Sequence, residues 1–240
     1  RVAETRKKIR STTMTIMETF RKYVNERWNY ALLAEAWKNS GGKVVGYLDA
    51  NAPEELIMAA GCLPLLMTGD PASGTESGGK HLDGKATSTV RHLYEAILTG
   101  RYEFVDLILN IGGDKWLSNA YNFLTAEKML DPTLKYGEVY YLERLRGTFK
   151  QHRDYNLDRL KDFREFLEAF TGKKITDESL EKAFEITNET RALLKRVSEL
   201  RRADLPRISG SEALTIYLAS MLMPKAKFNE LLREFLETEV

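Results

Sequence analysis

Between Lys43 and Thr68 the sequence spells a strand, a helix and a second strand with very short connections, and few folds accept that order. Lys43-Val44-Val45-Gly46-Tyr47-Leu48 is rich in β-formers and reads as a buried strand. A helix follows: Pro53 suits its first turn, Glu54 and Glu55 complement its positive end, and Gly61 stands where a left-handed C-terminal cap is needed. Leu63 to Thr68 is again apolar and extended. Two strands joined through one helix pair in parallel, by a right-handed crossover.

The alternation continues along the chain. Gly69 to Lys85 carries five glycines with Ser, Thr and Asp and reads as a loop. A helix over about 88–99 ends at Gly100, Phe104 to Asn110 supplies a third strand, a helix runs near Trp116 to Met129, and Glu138 to Leu142 is a fourth strand. Strands then disappear, and helices are predicted over about 156–170, 177–202 and 211–222, with a last one after Pro224. Upstream, Met14, Met17, Phe20, Tyr23 and Val24 recur at helical spacing within an amphipathic stretch from about Val2 to Trp37. The expected fold is α/β, a small parallel sheet flanked by helices, with an N-terminal helix and a C-terminal all-helical region. Its divisions are an N-terminal amphipathic helix over 1–40, an α/β domain over 41–145 and a helical domain over 150–240.

Charge and cysteine usage narrow the function classes. Thirty-six Lys and Arg nearly cancel 35 Asp and Glu, so no global field points to nucleic acid or a membrane surface, and an anion site must be local. One cysteine, Cys62, excludes an intramolecular disulfide framework and any metal site in which this chain alone supplies several thiolates. That usage fits a reducing cytosol, and with no apolar run of membrane-spanning length the expectation is a cytoplasmic protein. A parallel sheet of three or four strands leaves edges to be covered, either by a partner, which makes an oligomer, or by the helical tail folded back. His81, His92 and His152 are too scattered for a metal-ligand pattern, and the glycine-rich loop lacks the spacing of a dinucleotide or P-loop signature.

Gly46-Tyr47-Leu48, Pro53-Glu54-Glu55-Leu56-Ile57, Ala59-Ala60-Gly61 and Leu63-Pro64 occur in that order, followed by Ser88-Thr89-Val90-Arg91 and Gly100-Arg101-Tyr102-Glu103-Phe104-Val105-Asp106. Asn188-Glu189 with Arg191, then Ile208-Ser209-Gly210-Ser211-Glu212, complete the series. Together these resemble the N-terminal half of subunits of the 2-hydroxyacyl-CoA dehydratase and benzoyl-CoA reductase family. The resemblance implies two α/β domains linked by helices, with a 4Fe-4S cluster and the acyl-CoA between them, of which this chain carries one. It also implies a ketyl-type radical on a CoA thioester, made with one electron from an ATP-hydrolysing activator. The family's cluster cysteines fall in a Cys-Ser segment and a Cys-Asp pair, where this chain reads Thr87-Ser88 and Gly113-Asp114. A hydroxyl or a glycine does not replace a thiolate on cluster iron. No metal ligand and no cofactor are therefore expected in this chain, and the cluster is expected on a homologous partner.

The resemblance makes Arg91, with Lys80, His81 and Lys85, the candidate contact for CoA phosphates, since helix N-termini and basic side chains favour anions. The same cations also suit an ordinary solvated surface. Glu54 and Glu55 are candidates for a general base, or simply for the helix dipole. Tyr140, Tyr141 and Trp116 could line an acyl pocket or belong to the core, and Cys62 reads as a small buried residue. The catalytic residues stay unassigned. Three functions are consistent with these residues: an assisting enzyme subunit beside a cluster-bearing homologue, a non-catalytic structural or regulatory pseudo-subunit, and a cluster-free CoA-thioester enzyme.

Overall fold

The computed structural model describes residues 14–76, 82, 86–112 and 115–238. The chain forms two compact units, one of the described residues up to Leu33 with those from Glu185 onward, the other of Ala34–Phe184.

The second unit is built on four short strands, β1 (Lys43–Tyr47), β2 (Cys62–Leu66), β3 (Leu107–Ile111) and β4 (Glu138–Leu142). All pair in parallel in the order β2-β1-β3-β4, with Val44 opposite Leu63, Val45 opposite Leu107 and Leu109 opposite Tyr140. Pro64 donates no backbone hydrogen bond, and β2 is an edge strand, where that omission costs least. Helices complete the unit: α3 (Glu35–Asn39), α4 (Glu54–Ala59), α5 (Ser88–Leu98), α6 (Lys115–Leu130) and α7 (Lys150–Thr171). Gly61 closes α4 at φ +75°, the left-handed position anticipated for it.

Side chains alternate across the sheet and bury both faces, as a parallel sheet requires. One face presents Val45, Tyr47, Leu107 and Leu109 to Ile57 of α4 and to Phe163 and Leu167 of α7. Tyr140 meets Phe166 of the same helix at 4.4 Å between ring centres and Phe163 at 5.1 Å. On the other face Asn110 Nδ2 donates to Leu117 O of α6 at 2.5 Å, and Tyr121 of α6 lies 5.1 Å from Tyr141. Gly46 leaves room on that face for Met67: a Cβ there would stand 2.3 Å from Met67 Sδ.

The first unit is helical. It contains α1 (Ile16–Asn25) and α2 (Tyr30–Leu33), most of α8 (Asp177–Arg202), then α9 (Gly210–Leu222) and α10 (Lys225–Thr238). Reciprocal capping boxes start α1 (Thr15 with Glu18) and α9 (Ser209 with Glu212). Phe20 of α1 is fully buried, 5.5 Å from Phe228 and 6.5 Å from Phe235 of α10.

The α/β class, the parallel sheet and the helical region after β4 are as the sequence predicts, and no strand follows Leu142 among the described residues. The N-terminal stretch differs in detail. Its described part is three helices, α1, α2 and α3, because the chain turns at Glu26–Asn29, where Asn29 Oδ1 accepts from Leu32 N at 3.4 Å. Helix α7 begins at Lys150 rather than near 156. No described helix is long and apolar enough to cross a membrane.

Candidate functional site

In a parallel sheet ligands gather at the carboxyl ends of the strands, beside the point where the chain order reverses. Here β2 and β3 lie on opposite sides of β1, so that point falls between β1 and β3. A cleft of about 220 Å³ opens at this edge. Pro53, Ile111, Leu142 and Leu160 give it an apolar floor, and Asn51, Glu143, Arg144 and Asn156 give it a polar rim.

Each rim residue is set by local structure. Asn51 stands in the turn after β1, where its backbone N–H donates to Asp49 Oδ1 at 2.8 Å. The segment leaving β4 is tied to α7 at two points. Leu145 N donates to Asn156 Oδ1 at 2.8 Å, and Asn156 Nδ2 returns to Leu145 O at 3.0 Å. Tyr155 donates its hydroxyl to the Glu143 carboxylate, and that bond raises the Tyr155 pKa above its ordinary range.

This tethered loop and the start of α7 carry charge. Arg144, Arg146, Lys150 and Arg153 are all exposed, and among the described residues none of these side chains has an ion-pair or hydrogen-bond partner. Phe149 stands between them, 69% exposed, with its ring edge-on to His152 at 5.5 Å.

Of the residues singled out by sequence, Arg91 lies in the first turns of α5, half-buried, with its Nε buried and, among the described residues, without a partner. Lys80, His81 and Lys85 lie outside the described residues. Helix α5 follows β2, so Arg91 belongs to the same carboxyl edge of the sheet as the cleft. Glu54 accepts a hydrogen bond from Tyr47 Oη at 2.7 Å; Tyr47 is buried, and its pKa is raised first by burial and then by that carboxylate. Tyr140 is packed into the α7 aromatic cluster, and Tyr141 Oη pairs with Ser118 Oγ at 3.2 Å, so both serve the sheet faces. Trp116 lies in the first turn of α6. His92 Nδ1 stands 2.7 Å from Ser88 O, within its own helix. Sequence reasoning missed Asn51, Glu143 and Asn156; the run of cations after β4 was the one signal in the sequence that pointed there.

A 4Fe-4S cluster needs thiolates, and the described residues do not supply them. Thr87 caps α5, its hydroxyl accepting from Val90 N at 3.4 Å, and Ser88 Oγ sits 3.1 Å from His92 Nδ1. Cys62 is 1% exposed at the amino end of β2, the sheet edge opposite the cleft, and burial pushes its thiol up to about 11. No group of three or more His, Cys, Asp or Glu able to hold a metal occurs among the described residues. Gly113 and Asp114 lie outside them.

Residues 49–239 match the family model described as 2-hydroxyglutaryl-CoA dehydratase, D-component. The chain is similar to a benzoyl-CoA reductase subunit of Thauera aromatica, 27% identical over 223 residues, covering 86% of this chain and 53% of that protein. It is 26% identical to the (R)-phenyllactyl-CoA dehydratase beta subunit of Clostridium sporogenes, over 83% of this chain and 52% of that one. The beta subunit of (R)-2-hydroxyglutaryl-CoA dehydratase of Acidaminococcus fermentans is 23% identical over 82% of this chain and 51% of its own. The chain thus spans about half the length of the curated relatives it matches.

Proposed function

Because the chain belongs to the 2-hydroxyglutaryl-CoA dehydratase, D-component, family, we propose that it is a subunit of a 2-hydroxyacyl-CoA dehydratase or benzoyl-CoA reductase-like complex. In that complex it assists acyl-CoA binding beside a homologous, cluster-bearing partner, in the cytoplasm. The observation that carries this reading is the match itself: three relatives named as subunits of CoA-thioester enzymes align over 82% or more of this chain.

The chemistry of the site supports a binding role. The carboxyl edge of the sheet offers amides, cations and an apolar floor, and no set of thiolates. Such groups hold a ligand and orient it, and binding energy from parts of a substrate that do not react can be used to position the part that does. The acyl end then belongs to the partner, where the cluster and the ATP-hydrolysing activator act. Arg91, with Lys80, His81 and Lys85, is the proposed contact to the CoA pyrophosphate, supported by the Nε of Arg91, which is buried and has no partner among the described residues.

The experiment is mass spectrometry of the untagged protein from its native source, recording bound chains, iron and CoA species together. Co-purification with a cysteine-bearing homologue, iron and a CoA thioester is expected. A metal-free homo-oligomer without CoA would overturn the reading in favour of a structural pseudo-subunit, and tight acyl-CoA binding without iron or partner would favour a cluster-free thioester enzyme. In the same assembly Arg91→Ala is expected to weaken CoA binding about tenfold; unchanged affinity removes Arg91 from the site.

A further inference from the structure

From Arg144 to Arg153 the sequence reads Arg-Leu-Arg-Gly-Thr-Phe-Lys-Gln-His-Arg, four permanent cations without one carboxylate, in a chain whose 36 basic and 35 acidic residues otherwise balance. All four are exposed, and none finds a counter-ion among the described residues. Two acidic side chains flank the patch: Glu143 is already engaged by Tyr155, and exposed Asp154 makes no ion pair with these cations among the described residues. The patch therefore keeps an excess of positive charge, and it is held in place. Asn156 ties the loop to α7 through both backbone groups of Leu145, which keeps Arg144 and Arg146 close to the turn that carries Lys150 and Arg153. Phe149 offers an exposed aromatic face amid these cations, and Arg144 itself lines the 220 Å³ cleft.

The geometry points to this loop as the seat of the 3′-phosphoadenosine end of CoA, with Arg144, Arg146, Lys150 and Arg153 taking the 3′-phosphate and Phe149 stacking on the adenine. The inference rests on the acyl-CoA reading above and deepens it. A phosphate dianion is the ligand that two unpaired cations on a tethered loop and two more at the start of α7 can neutralise. An exposed ring beside them suits a flat base, since stacking needs only a π face. The patch is confined to one loop and the first turn of one helix, beside a single small cleft. That extent fits a nucleotide better than the long track of cations that follows a nucleic-acid backbone.

Dephospho-CoA, which differs from CoA only in lacking the 3′-phosphate, tests the assignment. With the native assembly, calorimetric titration is expected to show CoA binding about tenfold tighter than dephospho-CoA, a preference that shrinks as salt is raised. The double variant Arg146→Gln/Arg153→Gln is expected to bind the two ligands equally, Phe149→Ala to weaken both, and Arg91→Ala to weaken both while keeping the preference. All four cation positions are exposed, and circular dichroism of each variant checks that the fold is retained. If the wild-type assembly binds CoA and dephospho-CoA equally, or the double variant keeps the preference, this assignment is wrong and the acyl-CoA reading stands. If the wild-type assembly binds neither, both fail together. Preference of the wild type for single-stranded RNA over CoA would replace the nucleotide with a nucleic acid and overturn the inference.

Discussion

Lys150 stands where a helix least favours a cation. The N-terminus of α7 carries the positive end of the helix dipole, no acidic residue lies in its first turn, and Phe149 contributes no side-chain cap. Arg153 follows one turn on with the same charge, and Asp154, four residues after Lys150, makes no ion pair with it among the described residues. A local rule broken without a compensating contact is what a ligand site looks like before its ligand arrives. Lys150→Glu is therefore expected to stabilise the protein by about 0.5 kcal/mol at low salt while weakening CoA binding. Urea unfolding and a CoA titration of the same variant read the two effects. A variant that loses stability, or one that keeps its CoA affinity, would remove Lys150 from this argument. Cys62 shows the opposite case: it is buried, burial foremost raises its pKa, and it sits as the small buried residue the sequence suggested.

At the scale of elements, α9 shows how far local chemistry carries. Ser209 N donates to Glu212 Oε2 at 2.9 Å and Ser209 Oγ donates to the same oxygen at 2.8 Å, and these bonds, the backbone one foremost, hold the Glu212 carboxyl below its ordinary value of 4.5. A carboxyl depressed in the folded state adds stability that is fully present above the unfolded value and lost as pH falls through the folded one. Glu212→Ala is expected to cost about 0.5 kcal/mol at pH 7, discounted for its exposure, and close to nothing once the pH lies below the depressed value. Denaturant titrations across that range check it, and a cost that persists in acid would trace to packing instead. Such signals made much of the fold legible. The β1–α4–β2 unit, the Gly61 cap and all of β4 follow from apolar runs and the residues that punctuate them. The break at Asn29 is hidden because the apolar stripe continues across it, and the early start of α7 because Gln151 to Tyr155 carries no clear helical stripe. The site was less legible. Arg91 stands out beside a helix start, but Asn51 and Asn156 gain their roles only from a strand order and a tether that no single segment contains.

For the whole molecule, what matters is where binding would be felt. The cleft, the tethered loop and Arg91 all belong to the Ala34–Phe184 unit. The other unit has its own anchors, such as Asn229 Nδ2 on Ile186 O at 2.9 Å and Thr190 Oγ1 on Asn229 Oδ1 at 2.7 Å, which close α8 onto α10 without using any of these residues. Ligand held at the carboxyl edge of the sheet stabilises the folded form of the segments it touches, by about 2.7 kcal/mol at a hundredfold excess over Kd. Local opening in those segments should slow accordingly, about a hundredfold where exchange proceeds through the ligand-free form. Amide hydrogen exchange of the native assembly with saturating CoA is therefore expected to show new protection over 143–157 and around Arg91, with 210–238 unchanged. Protection confined to 210–238 would move the ligand to the other unit and remove the carboxyl edge as the site; protection around Arg91 alone would leave the pyrophosphate contact and remove the loop after β4.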